Sequence, residues 1–289
     1  MATSELILSV RDYDLSATLD SGQAFRWHRQ GAAWSGVIGQ RWVRLEPLPE
    51  GIRAQTMVPV ADWTWLTDYL QSQVDLAAIL ESFPVDPPMQ AAVAACPGLR
   101  LLRQDPWECL ASFMLSSTKQ IVQIRQIISL LCERHGEAVT TPAGLAPARA
   151  FPTPERIARL SEAELRDCKM GFRAPNVLAA ARRIASGEFH LERIRALPHA
   201  TARAELMRLR GVGGKIADCV LLFAYGFNAA FPVDVWIKKA LQELYFPRRR
   251  APEKRLQYFA ATHFGEHGGY AQQYLFHYMR TRKRPNSRD

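Results

Sequence analysis

The run Leu209-Arg210-Gly211-Val212-Gly213-Gly214-Lys215-Ile216-Ala217-Asp218 constrains the fold more than any other stretch. One helix has to end at about Leu209 and another has to begin almost at once. Gly211, Gly213 and Gly214 permit left-handed backbone and leave no side chain over the turn. The free N–H groups of the turn and of the new helix then face outward, where a phosphate can accept from them. Such a contact positions a nucleic-acid backbone and carries no base information. The spacing matches neither GxxxxGK[ST] nor the dinucleotide-binding glycine pattern. Taken alone, the turn serves equally well as a plain corner between two helices.

Lys215 falls in the first turn of the new helix, where the helix dipole prefers an anion. A partly desolvated lysine placed against that preference is expected to give up its proton more readily, which is a route to a nucleophilic amine. The commoner use of a lysine is a surface contact to phosphate or solvent. Cys219 lies one turn on, on the same face, as a pocket wall or as a core thiol. Nineteen residues on from Lys215, Asp234 in FPVDVW opens the next helix as its N-cap. A carboxylate held near an amine also stabilises positive charge on a sugar ring and moves protons. Amine and carboxylate together point to covalent chemistry at an anomeric carbon.

The N-terminal part reads as β. Ala24–His28, Ala33–Ile38 and Arg41–Glu46 are short runs rich in aromatic and branched residues, separated by Gln30-Gly31 and Gly39-Gln40 turns. LEPLPEG is expected to end this meander, and from about Asp62 the periodicity becomes helical. Asp105-Pro106-Trp107-Glu108 is a helix start with cap, N1 proline and N3 acid, ahead of the apolar run to Leu115. Further helices are expected over Gln120–Arg134, from Ser161 to Cys168, and over Pro175–Ser186 and Thr201–Leu209. Four more follow at Gly214–Tyr225, Val235–Tyr245, Pro252–Phe264 and Tyr270–Arg280, with a loop from Glu137 to Pro154. Strands do not alternate with helices, so the fold class is α+β rather than doubly wound α/β. The expected division is 1–98, an antiparallel β domain with linking helices, and 99–289, a helical domain.

Charge adds a partner class. The 37 Lys and Arg against 28 Asp and Glu give +9, which favours a polyanion such as nucleic acid or an acidic membrane surface. The last ten residues, RTRKRPNSRD, hold five of those bases and are expected to add non-specific phosphate attraction. The five cysteines are odd in number and widely spaced without a CxxC, so neither a disulfide framework nor a metal cluster is indicated. No secretory h-region and no run of 18 apolar residues occurs, so a soluble intracellular protein is expected.

At this point the chain resembles a known family, the helix-hairpin-helix glycosylases of the 8-oxoguanine DNA glycosylase type. The carrying segments are SGQAFRW (21–27), LLRQDPWECLASFMLSS (101–117), GFRAPN (171–176), GVGGKIADC (211–219), PVDVW (232–236) and GYAQQYLF (269–276). They span nearly the whole chain in order. The resemblance implies an N-terminal antiparallel β domain packed on a mostly helical glycosylase body, and a bifunctional DNA glycosylase/AP lyase acting on 8-oxoguanine in duplex DNA. It implies that Lys215 displaces the base and forms a Schiff base that leads to β-elimination, assisted by Asp234. Gly22 matches the glycine whose carbonyl accepts from N7–H of 8-oxoguanine; guanine, with an acceptor at N7, would set two acceptors against each other. Cys219 and Phe276 match the pair that sandwiches the flipped base, and Gln272 a contact to its Watson–Crick edge.

The departures carry their own expectations. Thr118 stands where the family has the asparagine that contacts the orphaned cytosine, and Gln123 where it has an arginine, while Arg173 is retained. Threonine lacks the amide's paired donor and acceptor, and glutamine lacks a charged fork, so a weaker preference for cytosine opposite the lesion is expected. Arg210 replaces a common hairpin proline and, with Lys119, Gly211 and Gly213, is expected to meet DNA phosphates. Trp236 occupies the place of a histidine and is expected to line the pocket entrance. No metal is required for the chemistry; a monovalent or divalent cation on hairpin carbonyls is implied by resemblance. No cysteine follows Cys219, so no iron–sulfur centre is implied. A monomer is expected. The competing readings are a glycosylase for another damaged base without lyase activity and a non-catalytic DNA-damage binding protein.

Overall fold

The computed structural model describes residues 3–117, 119–248 and 250–282. The basic tail beyond 282 and the expected base contact Thr118 lie outside the described residues. Five antiparallel strands form the N-terminal sheet: β1 (Ser4–Ser9), β2 (His28–Gln30), β3 (Ala33–Ile38), β4 (Arg41–Leu48) and β5 (Gly51–Thr56), in the order β1-β5-β4-β3-β2. The two expected turns are present. Gln30 pairs with Ala33 and Ile38 with Arg41, with Gly31 and Gly39 at φ +63° and +57°.

The sheet departs from expectation in three places. LEPLPEG does not end it: β4 continues to Leu48, and Pro49-Glu50 turns the chain into β5, so that Leu48 faces Gly51. Pro47 is tolerated because it lies past Leu45, the last residue of β4 that β3 pairs, so its missing N–H breaks no bond on that side. Strand β1 pairs the far side of β5 along its whole length, from Ser4 with Thr56 to Ser9 with Gly51. Ala24, Phe25 and Trp27 are buried, but residues 24–27 join no ladder, and the chain just before them is pinned by the Gln23 side chain. Gln23 is fully buried; its amide nitrogen donates to the carbonyls of Thr18 (2.9 Å) and Arg100 (2.8 Å), and its oxygen accepts from Leu102 N–H at 2.7 Å. Gln104 in turn donates to the Gln23 carbonyl at 2.7 Å.

The helical body follows the caps. The helices that build the site are α1 (Pro106–Leu115), α2 (Ile121–His135), α3 (Ala174–Ala185), α4 (His199–Leu206), α5 (Gly214–Val220), α6 (Val235–Tyr245) and α7 (Gly268–Thr281). Asp105 accepts from Glu108 N–H at 2.8 Å, and Ser161 and Glu164 form the expected reciprocal cap. Each such cap contributes about 1 kcal/mol. The expected loop 137–154 contains a two-stranded ladder, Ala138–Val139 against Ala148–Arg149. The expected helix to Tyr225 is α-helical only to Val220 and closes through a wider π turn over Leu221–Tyr225. One apolar core runs through the helical body and a second lies under the sheet, built around Trp27, Trp34, Leu45 and Leu66.

Candidate active site

Five segments distant in sequence meet around a cavity of about 410 Å³. The hairpin contributes Lys215 and Cys219 from α5. The start of α6 contributes Asp234, its N-cap, and Trp236 from its first turn. One face of α7 contributes Gln272, Phe276 and Arg280, spaced by four residues so that they stack along the helix. The loop before β2 contributes Gly22, and the end of α1 contributes Phe113 and Ser116.

The hairpin is built as its glycines require. Gly211 has φ +83°, and a Cβ there would come within 2.6 Å of the Asn176 amide on α3. A Cβ on Gly214 would meet the Arg203 guanidinium at 2.1 Å. That guanidinium joins α4 to α5 by bonding both Asp218 oxygens, at 2.7 and 3.3 Å. Gly213 caps α5 in extended conformation, and Arg210, Gly211 and Gly213 are all exposed, as a phosphate seat needs.

The Lys215 ammonium nitrogen lies 2.9 Å from Ser116 Oγ and 5.3 Å from the centre of the Phe113 ring. Ser116 Oγ donates its own proton to the Phe113 carbonyl at 2.7 Å, so it faces Lys215 as an acceptor. The serine therefore holds one N–H of the amine and leaves the rest of the nitrogen turned to the cavity. We expect Ser116→Ala to slow covalent trapping on a preformed abasic site by about tenfold with little change in DNA affinity, and Ser116→Thr to restore the rate. An unchanged trapping rate in the alanine variant would remove Ser116 from the site.

Asp234 plays its capping role, accepting from Ile237 N–H at 2.8 Å. Burial raises its carboxyl above the ordinary aspartate range, against the lowering effects of that backbone bond and of the nearby Lys215 charge. Burial pushes the Cys219 thiol up to about 12, so the sulfur stays a neutral, polarisable wall.

Gly22 has φ +79°, which strains any L side chain, and a Cβ on it would sit 2.8 Å from Ile121 Cδ1, which would have to move aside, and 3.4 Å from the Phe276 ring. Gln273 pins that loop by donating to the Ser21 carbonyl at 3.0 Å. Its neighbour Gln272 is 4% exposed, and its side-chain oxygen is buried without a hydrogen-bond partner. A buried amide oxygen left open on a cavity wall is a site for a ligand donor. Trp236 is 39% exposed and lines the mouth.

Of the remaining expected residues that are described, Gln123 and Arg173 are not among those lining this cavity. Lys119 is on its wall. Gln123 is exposed on the first turn of α2, where its oxygen accepts from Gln120 N–H at 3.1 Å. Arg173 is buried, donates to the Ser117 carbonyl and lies 4.2 Å from the Phe172 ring centre. Phe172 itself is 64% exposed. Sequence reasoning passed over Ser116, Gln273, Arg280 and Phe172. Only Arg280 had a local signal, its place four residues after Phe276. Among the described residues, no group of three or more His, Cys, Asp or Glu side chains is placed to hold a metal ion. All five cysteines are free and buried, and no described helix is long and apolar enough to cross a membrane.

Comparison with known proteins places the family and the fold. Residues 5–110 match the 8-oxoguanine DNA glycosylase N-terminal domain, and residues 111–262 match the HhH-GPD superfamily base excision DNA repair protein. The chain is 29% identical to a probable N-glycosylase/DNA lyase of Methanothermobacter thermautotrophicus, covering 94% of this chain and 95% of that one. It is 30% identical to the N-glycosylase/DNA lyase OGG1 of Arabidopsis thaliana, covering 94% and 78%. Among solved structures, the Clostridium acetobutylicum 8-oxoguanine glycosylase/lyase, in complex with double-stranded DNA containing cytosine opposite 8-oxoG, superposes with a TM-score of 0.88. It is 32% identical, over 95% of this chain and 97% of that one.

Proposed function

The chain belongs to the helix-hairpin-helix base excision DNA repair family, with the N-terminal domain of the 8-oxoguanine DNA glycosylases, and on that premise we propose that it excises 8-oxoguanine from duplex DNA and cleaves the resulting abasic site. The observation that carries this reading is the meeting, in one cavity, of the Lys215 amine, the Asp234 carboxyl and the open Gln272 oxygen. The cavity has the volume of a small-ligand pocket and is reached by a base only when it leaves the duplex.

The chemistry follows from the side chains. The base enters between apolar walls supplied by Phe276 and Cys219, and Gln272 accepts from its Watson–Crick edge. The Gly22 carbonyl accepts from N7–H, which the undamaged base lacks. The Lys215 amine, having lost its proton, gives its lone pair to C1′. The glycosidic C1′–N9 bond breaks, its electron pair leaves with the base, and the base takes up a proton. The Asp234 carboxylate stabilises the positive charge that builds on the sugar. Opening of the sugar ring yields the Schiff base. Loss of a C2′ proton then expels the 3′ phosphate, and water releases the lysine. The exposed hairpin turn with Arg210, Gly211 and Gly213, together with Lys119, seats the backbone, and exposed Phe172 fills the gap left in the stack. A cation on the hairpin carbonyls would steady that seat and takes no part in the reaction. The protein works as a monomer wherever the cell keeps duplex DNA, the nucleoid of a bacterium or the nucleus of a eukaryote.

Single-turnover base release from an 8-oxoguanine duplex tests the reading, and the opposite base refines it. Gln123 spends its oxygen on the start of α2 and offers no charged fork, so excision opposite the four bases should differ by less than about tenfold. A preference for cytosine above about tenfold would show that Arg173 and Thr118 suffice for discrimination and would sink the expectation.

A further inference from the structure

Arg280 lies on the wall of the active cavity, one turn beyond Phe276 and two beyond Gln272 on α7. One nitrogen of its guanidinium donates to the Asp20 carbonyl at 3.2 Å, and the group lies 5.4 Å from the centre of the Phe276 ring. Among the described residues no carboxylate lies within 4.0 Å of it. The two acids nearest in charge are otherwise engaged: Asp20 pairs with Arg125 at 2.6 Å, and Asp234 caps α6. Burial lowers the guanidinium's pKa, yet a group of this kind keeps its charge at any working pH. A partly buried cation with one donor spent therefore faces the cavity with no carboxylate in direct contact.

The helix orders what the cavity can take. Gln272 is deep in the wall, Phe276 is half-buried, and Arg280 comes last, about 12 Å along the axis from Gln272 at 1.5 Å per residue. A nucleotide whose base edge meets Gln272 and whose face meets Phe276 brings its sugar and phosphates to Arg280. We propose that Arg280 binds a backbone phosphate flanking the flipped nucleotide, with the Phe276 ring as the shared wall between phosphate clamp and base. This rests on the base-flipping reading of the cavity. A phosphate is the better partner than a base carbonyl because it is anionic and matches the planar fork in two parallel bonds.

The test uses a duplex with a tetrahydrofuran abasic analogue, which needs neither 8-oxoguanine nor chemistry. Each linkage flanking the analogue is replaced in turn by a neutral methylphosphonate. Neutralising one flanking linkage should weaken wild-type binding by about tenfold. Arg280→Ala should lose about as much on the unmodified duplex, nothing further on that methylphosphonate, and about one from the slope of log affinity against log salt. Arg280→Lys should restore most of the slope. Arg280→Gln, which can keep the bond to the Asp20 carbonyl, replaces the alanine variant if that one melts early. Additive losses at every flanking linkage, or an unchanged salt slope, would overturn the proposal. Base release from 8-oxoguanine is followed on the same wild-type protein. Tight binding to the analogue without release would sink the substrate reading and leave the phosphate site standing. Release with additive losses would sink the phosphate site alone.

Discussion

Lys215→Ala is expected to abolish the adduct that borohydride traps on an 8-oxoguanine duplex and to cut base release by at least about a thousandfold. The substitution is mild for the fold. Alanine is the best helix former, Lys215 is only partly buried, and what it loses within the protein is one bond to Ser116, a contact with Phe113 and the charge that Asp234 feels. Melting temperature and affinity for a non-cleavable lesion analogue should therefore stay close to wild type, so that lost chemistry is read as lost chemistry. Base release persisting without an adduct would mean that water does the displacement, with Lys215 serving the phosphates instead. An adduct persisting in the variant would point to another amine in the cavity, and Lys119 is on the wall.

The parts of the site that were legible in sequence are those set by local chemistry. Asp105 and Asp234 cap helices through their own next turn, and the glycines between Leu209 and Lys215 force a corner wherever they occur. Strand β1 escaped because its partner is far away: Ser4 meets Thr56, and nothing near Ser4 announces it; β5 escaped because the prolines of LEPLPEG read as an end rather than as a hairpin turn into it. The same holds for Gln23, whose partners at Arg100 and Leu102 turn an apparent strand into a pinned loop. Residue type alone cannot separate Gln272 from Gln273. Both line the cavity, but one is spent on the Ser21 carbonyl while the other keeps an open oxygen, and only packing decides which. Arg280 was missed for the opposite reason. An arginine near a helix end is expected at any surface, and its lack of an acidic partner is a fact of three dimensions.

Asp234→Asn separates the two jobs this residue holds. Asparagine caps a helix about as well as aspartate, so the start of α6 should survive. The charge is what is lost, and with it the stabilisation of the sugar cation. Base release should fall by about a hundredfold or more, within the span set by general acid–base groups. Stability should move the other way. The folded carboxyl titrates above its unfolded value because burial disfavours its charge. Its favourable contribution is therefore complete below the unfolded pKa and is lost as pH rises through the folded one. At neutral pH the ionised side chain is a burden, and the asparagine variant should melt at the same temperature as wild type or above it, the gap closing in acid. The wild-type rate should rise with pH as Asp234 ionises, with a midpoint above that of an ordinary aspartate, and the variant should lose that limb. A variant within about threefold of wild type at every pH would leave Asp234 a cap and nothing more, and the sugar cation would have to be stabilised by some other group on the cavity wall.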